Sequence, residues 1–364
     1  MSTLKVNTIQ DTTGNDALTI DSSGNVTSSQ GFVPSTQLSH RNLIINGAMQ
    51  EAQRGTSATG QTGSGYTTVD RFRTGINSLG TWTMTQSTDA PNGFSYSFKM
   101  NCTTAESTIS AADSCRLQYK MEGNDVQHLA YGTSDAKSLT FSCWVKSNKT
   151  GDAVFNLINL NSTQDRQSGH LLTINTADTW EYKTITIAGD TSYAIESGNN
   201  QELFFDIWLN GGSNYTSGTR NGTYVNQSST NYYVDGNLGL GGSTSDYFQI
   251  TGVQLEVGSV ATPFEHRSYG EELARCQRYY YQNGNNVWYC YLYRGDNRQL
   301  ATVHYPTTMR AVPTVTNTWN DDGGVGESAG SPVANENWCR FVSAGANANN
   351  IQPSVSDLTF DAEL

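Results

Sequence analysis

Short runs of alternating apolar and polar residues recur through the middle of this 364-residue chain, and they constrain its fold more than any other feature. The run Trp180-Glu181-Tyr182-Lys183-Thr184-Ile185-Thr186-Ile187 shows the alternation most clearly. Successive side chains of a strand point to opposite faces, so a period of two predicts a sheet with one dry face and one wet face. Similar runs occupy Trp82–Thr85, Ser95–Met100, Arg116–Tyr119, Leu139–Lys146, Ala153–Leu157, Leu203–Leu209 and Tyr247–Val253. Gly, Asn, Asp and Ser bound them, the residues that turns require. No helical period interrupts residues 41–267, so the expected fold class is all-β, an antiparallel sandwich or jelly roll rather than a parallel βαβ sheet.

The period changes after that. Ser268 can cap a helix over residues 268–281, with Glu271 and Glu272 in the first turn and Glu271/Arg275 spaced as an i,i+4 pair. Leu273, Cys276 and Tyr280 would share its packed face, and the element reads as one short connecting helix of about three turns. Residues 282–364 read as a smaller C-terminal β domain. Val287–Tyr293 and Gln299–Tyr305 suggest a hairpin around Arg294-Gly295-Asp296-Asn297, and Met309–Thr316, Trp338–Val342 and Leu358–Ala362 supply further strands. Residues 1–40 form an extended N-terminal arm, with Val33-Pro34-Ser35-Thr36 as a linker. Leu4, Val6, Ile9, Leu18, Ile20 and Val26 are too few to build a core, so this arm is expected to gain order from partners.

Composition excludes several functions. Charged residues make up 15% of the chain and the net charge is −12, which disfavours a phosphate backbone or an anionic membrane as partner. No run approaches the ~18 apolar residues of a membrane span, and the first residues lack the apolar segment of a signal peptide, so synthesis and folding in a cytoplasm are expected. The six cysteines then read as small buried hydrophobes, with a Cys102–Cys115 bridge as the alternative. The histidines are dispersed and form no metal-ligand spacing. Gly-x-Ser-x-Gly is absent, and the adjacent Asp321 and Asp322 read as a solvated loop tip rather than a catalytic pair. The chain is therefore not expected to be an enzyme, with glycan cleavage by paired carboxylates the open alternative.

The aromatics point elsewhere. There are 19 Tyr and 7 Trp. Sugars stack their C–H faces on flat rings while Asn, Gln and Asp bind hydroxyls, and loops rich in Tyr, Asn and Ser suit adaptable recognition. Asn214, Tyr215, Tyr224, Tyr232, Tyr233 and Asp235 lie in such loops and are the candidate glycan-binding residues. Trp144, Trp180, Trp208 and Phe264 read as core.

Two segments carry a resemblance. The first is Arg41-Asn42-Leu43-Ile44-Ile45-Asn46-Gly47-Ala48-Met49-Gln50, followed by Tyr66-Thr67-Thr68-Val69-Asp70-Arg71-Phe72. The second is Ile250-Thr251-Gly252-Val253-Gln254-Leu255-Glu256-Val257-Gly258, followed by Thr262-Pro263-Phe264-Glu265 and the Tyr-rich stretch up to Tyr281. With Met309–Val315 they resemble a family of bacteriophage virion proteins, mostly tail-fibre or tail-tip proteins, built on a jelly roll similar to carbohydrate-binding modules. The resemblance covers residues 41–315 and makes the two segments the first and last strands of the sandwich. It implies a homotrimer, attachment to other virion proteins through residues 1–40, and adhesion to a host-surface polysaccharide, at the tail of a virion assembled in a host cytoplasm. A head decoration or adaptor protein that binds only virion proteins, and a glycan depolymerase, remain the alternatives. Modules of this kind often hold a structural calcium between acids in the two segments. Here Gln50 and Thr251-Gly252 take those places, with Glu51 the nearest carboxylate, so a calcium site is in doubt and no cofactor is expected.

Overall fold

The alternating runs form strands, and nearly all of the secondary structure is β. The computed structural model describes residues 6–10, 14, 16–20, 22, 26–28, 39–283, 288–289, 291–293, 298–320, 332–342 and 354–364. They divide into two compact units, Met1–Arg41 and Asn42–Leu364. The linker reading for Val33–Thr36, the hairpin tip Arg294–Asn297 and the Asp321-Asp322 pair lie outside the described residues.

In the first unit, β1 (Thr8–Gln10), β2 (Asp16–Ile20) and β3 (Val26–Ser28) form an antiparallel meander, in register at Thr8 with Thr19 and at Ile20 with Val26.

The second unit opens with the sandwich. Its strands are β4 (Ser57–Gln61), β5 (Gly65–Tyr66), β6 (Phe72–Asn77), β7 (Thr81–Ser87), β8 (Ser97–Thr104), β9 (Ser114–Glu122), β10 (Leu139–Ser147), β11 (Gly151–Asn159), β12 (Arg166–Ile174), β13 (Glu181–Ile187), β14 (Gln201–Gly211), β15 (Val225–Asn226) and β16 (Tyr247–Val257). One sheet has the order β13-β10-β16-β8-β7-β4 and the other β15-β12-β11-β14-β9-β6-β5, with every pairing antiparallel. This is the expected jelly-roll sandwich. Its core is built from the apolar phase of each strand, including Phe141, Cys143 and Val145 of β10 and Leu203, Phe205 and Ile207 of β14. Phe141 meets Phe155 at 4.4 Å and Phe205 at 5.2 Å between ring centroids. Full burial of side chains of this size contributes about 1.5–3 kcal/mol each. The helical interruptions are short and were not anticipated: α1 (Gly123–Val126), a single turn after β9, and 3-10 turns at Gln127–Leu129, Ser213–Tyr215 and Ser229–Asn231.

The expectation that residues 41–50 form the first strand is corrected. They run as extended chain and turns, and they lie along β16 through pegs rather than a ladder. Asn42 Nδ2 donates to the Val253 carbonyl at 3.0 Å, while its Oδ1 accepts from the N–H groups of Ile44 at 2.9 Å and Leu255 at 3.1 Å. Only two main-chain bonds join the segments, Leu43 N–H to Leu255 O and Val253 N–H to Gly47 O, both 2.9 Å. A Cβ on Gly47 would stand 2.1 Å from Val253 O, so the approach requires glycine. Asn46 adopts a left-handed φ of 62° and its side chain bonds Glu51 and the Asp70 carbonyl, ending any strand there.

Helix α2 (Tyr269–Gln277) follows, with the expected Glu271–Arg275 pair at 3.0 Å. Ser268 stands at its N-cap without a side-chain cap bond. Its packed face differs from the expectation: Glu272, Cys276 and the following Tyr279 are buried, because Glu272 turns inward to accept from Asn46 N–H and to pair with Arg267 at 3.3 Å. Leu273 is half-buried and Tyr280 already belongs to the next strand. The smaller β region has strands β17 (Tyr280–Gln282), β18 (Trp288–Tyr289), β19 (Tyr291–Tyr293), β20 (Arg298–His304), β21 (Thr314–Asn320), β22 (Val333–Ala334), β23 (Trp338–Val342) and β24 (Ser354–Asp361). The anticipated hairpin is the β19–β20 pair. These strands enclose their own core around Val303, Phe341, Leu358 and Phe360. Ion pairs tie the helix and this region to the sandwich, among them the half-exposed Arg278 at the end of α2 with Glu122 at 2.8 Å and the buried Arg54–Glu363 pair at 3.4 Å.

Candidate aromatic groove

The outward phase of β10 carries Ser142, Trp144 and Lys146, and that of β13 carries Tyr182, Thr184 and Thr186. Trp144 and Tyr182 are register partners across the two strands, with ring centroids 5.4 Å apart and planes tilted by 49°. Tyr182 is 44% exposed. Together they form the floor and one side of an open groove of about 510 Å³ on the outer face of the six-stranded sheet. The opposite wall is a second ring cluster. Phe94 lies 5.1 Å from Phe264 and 5.4 Å from His266, and Phe264 lies 4.9 Å from His266. Asn92, Ser142, Thr262 and His266 supply the polar groups of the lining, and no Asp, Glu, Lys or Arg lines it.

Two devices shape this groove. A β-bulge falls between Ser142 and Trp144 in the β10–β16 pairing, and Gly252 sits in it with φ of 60°. A Cβ there would meet Phe94 Cζ at 2.7 Å and Trp144 Cδ1 at 3.1 Å. The loop after β16 is fixed by Glu256, which is buried and accepts from Thr262 N–H at 2.8 Å and Thr262 Oγ1 at 2.6 Å. Gln254 accepts from Glu265 N–H at 2.8 Å. The residues between Thr262 and His266 thus present Phe264 to the groove at a fixed height. Beyond Lys146 the sheet face is closed by Asp89. Burial alone would raise its pKa, but hydrogen bonds from Lys146 at 2.9 Å and Trp180 Nε1 at 3.1 Å outweigh it and hold the carboxyl below its usual range.

The Tyr-rich loops named from the sequence lie on the other sheet. Three of their rings gather around Trp208, which faces outward from β14. Tyr215 and Tyr232 lie 4.7 Å and 5.1 Å from it, and Tyr233 is buried with its hydroxyl donating to Leu209 O at 3.2 Å. Tyr224 is buried elsewhere, against Tyr131 at 5.7 Å. Asn214 is exposed, and Asp235 is exposed and paired with Arg220 at 3.1 Å. Tyr224 and Tyr233 therefore cannot offer ring faces to a ligand. Tyr233 is drawn inward because a sheet face holding Trp208 and Val154 needs an apolar cover, and Tyr224 because it joins the sandwich core. The core assignments also change: Trp208 is buried as expected, whereas Trp144, Trp180 and Phe264 are half-exposed on the surface.

Other chemistry is sparse. Ser168 Oγ and His170 Nε2 lie 2.9 Å apart, but burial, with Arg220 nearby, pushes His170 down to about 4, and no carboxylate among the described residues bonds its ring. Such a pair lacks the orienting acid of a nucleophilic triad. The places where the resemblance would put calcium carry few donors. The Thr251 hydroxyl donates to Tyr96 O at 2.7 Å, Gly252 offers no side chain, and no group of three or more His, Cys, Asp or Glu among the described residues is placed to hold a metal. Cys102 and Cys115 are buried free thiols.

No family model matches the chain, and no curated protein matches it. Several solved structures show a distant likeness. The enzymatically active domain of tailspike protein 4 of bacteriophage CBA120 is 10% identical, with a TM-score of 0.29 over 60% of this chain and 21% of that one. The carbohydrate-binding module TmCBM61, solved with β-1,4-galactotriose, is 8% identical, with a TM-score of 0.30 over 60% of this chain and 99% of its own. A family 11 carbohydrate-binding module of Clostridium thermocellum is 11% identical, with a TM-score of 0.26 over 61% and 97%. The chain spans about a fifth of the tailspike chain. Scores of this size carry no argument about ligand or chemistry.

Proposed function

We propose that this protein is a glycan-binding component of a phage virion, a tail-fibre or tail-tip protein that adheres to a host-surface polysaccharide without cleaving it. The observation that supports the reading is the groove over β10, β13 and β16. It offers flat rings at several heights, with amide, hydroxyl and imidazole groups beside them and no Asp, Glu, Lys or Arg. That combination suits a pyranose, whose C–H face stacks on a ring while its edge hydroxyls reach amide and hydroxyl partners. The phage assignment rests on the resemblance of residues 41–72 and 250–281. Under it residues 1–40 dock onto the virion and the chain acts as a homotrimer. The test is retention of the purified protein on an array of immobilised bacterial surface polysaccharides, with fragment release followed in parallel. Retention without release of shorter fragments supports adhesion. Release would move the reading to a depolymerase, and retention only by other virion proteins would move it to an adaptor.

A further inference from the structure

Asn92 and Gly93 stand at the lip of the groove, and we propose that Asn92 is a modification site at which the protein slowly converts to aspartyl and isoaspartyl forms. Four Asn-Gly pairs fall among the described residues, at 46–47, 92–93, 210–211 and 221–222. Three are held by their side chains. Asn46 Nδ2 donates to Glu51 O at 2.8 Å and Asp70 O at 3.0 Å. Asn210 donates to Leu240 O and accepts from Gly211 N–H, both at 2.8 Å. Asn221 donates to Thr219 O at 3.0 Å. The Asn92 amide makes no hydrogen bond with the described residues. Both Asn92 and Gly93 are exposed, in a turn closed by one bond from Phe94 N–H to Pro91 O at 3.1 Å. Nothing lies within 4 Å of where a Gly93 Cβ would be, so the Gly93 nitrogen is open to approach.

The step needs only water. The Gly93 backbone nitrogen loses its proton and attacks Asn92 Cγ. The new N–Cγ bond forms, the Cγ–Nδ2 bond breaks, and ammonia leaves a cyclic imide. Water then opens the imide at either carbonyl, giving aspartate or an isoaspartate whose main chain runs through the side-chain carbon. Nothing is oxidised or reduced. The product places a carboxylate in a lining that holds no other acid, and the isoaspartyl form lengthens the chain just before Phe94. That ring packs on Phe264 and His266 and fills the space left by Gly252. The predicted loss of glycan retention rests on the function proposed above; the conversion does not.

The test ages the full chain in mildly alkaline buffer, beside a urea-unfolded sample. Peptide mass mapping and labelling by an isoaspartyl methyltransferase locate the products. In the folded chain the peptide holding Asn92 should convert several-fold faster than those of Asn46, Asn210 and Asn221, and Asn92→Gln should abolish that signal. Faster conversion at Asn221, or an unchanged Asn92 over an interval that converts the unfolded sample, overturns the proposal. Aged wild type should lose retention on the polysaccharide array in proportion to conversion, while aged Asn92→Gln keeps what it held when fresh. Full conversion with unchanged retention overturns the effect on the groove alone. A fresh wild type that no polysaccharide retains contradicts the glycan reading and leaves the conversion assay standing.

Discussion

The Asn42 side chain holds the Val253 carbonyl and the Leu255 N–H at once, at 3.0 Å and 3.1 Å, bridging 211 and 213 residues of sequence. It thereby stitches the turn that opens the sandwich to the strand that closes it, one residue beyond the bulge glycine under the groove. Asn42→Ala would leave buried partners unpaired on both segments. A loss of about 2–4 kcal/mol is expected, seen as a lower denaturant midpoint with an unchanged m-value. A midpoint equal to wild type would show that the peg is dispensable.

Gly252 separates shape from stability. Gly252→Ala imposes a left-handed φ on a residue with a Cβ, costing about 1 kcal/mol. The added methyl also displaces Phe94 or Trp144, because it stands 2.7 Å and 3.1 Å from them. Thermal unfolding should fall slightly while polysaccharide affinity falls about tenfold or more. An equal, small effect on both would mean the bulge does not shape the site.

Glu256 fixes the Phe264 wall through Thr262. Glu256→Ala removes these two charge-assisted bonds and a third from Gln254 Nε2 at 2.8 Å, each worth about 1.5–3 kcal/mol. The segment 258–266 should then open locally, and limited proteolysis should cut it well before the rest of the sandwich. Unchanged cleavage there would place the restraint elsewhere.

Stability should fall as pH rises from about 4.5 to about 7. Glu51 is pushed up to about 7, first by burial and then by the charges of Asp70 and Glu272. Asp70 is pushed up to about 6, chiefly by burial, against hydrogen bonds from Gln53. Both are raised carboxyls, so the folded protein keeps protons that the unfolded chain has released. Their contribution is complete below the unfolded pKa values and is lost as pH passes through 6 to 7. Glu51→Gln stays neutral and should flatten the decline between about pH 5 and about pH 8. An unaltered slope in that variant, followed by urea denaturation, would contradict the assignment.

The strands were legible because alternation is a local signal, and the helix was legible because Glu271 and Arg275 sit one turn apart. The opening segment misled because Asn42-Leu43-Ile44-Ile45 looks like a strand. Its real role depends on partners more than 200 residues away, which no local pattern contains. The groove carried an unused clue. In β10 the residues flanking Trp144 in the same phase are Ser142 and Lys146, and in β13 Tyr182 shares its phase with Thr184 and Thr186. A ring in the polar phase of a strand points outward, so both were marked as surface aromatics. The Tyr-rich loops misled in the opposite sense. Composition suggested exposure at Tyr224 and Tyr233, but whether a loop ring folds over Trp208, as Tyr233 does, or into the sandwich core, as Tyr224 does, is set by tertiary packing.

In the proposed function, Trp144 and Tyr182 form the floor of the glycan site. Its most direct test is titration of the polysaccharide retained on the array into wild type and into the Trp144→Ala/Tyr182→Ala double variant. Both rings are partly exposed, so thermal stability should change little. Affinity should drop by at least about 2 kcal/mol, roughly 30-fold. A double variant that binds as tightly as wild type would contradict the account.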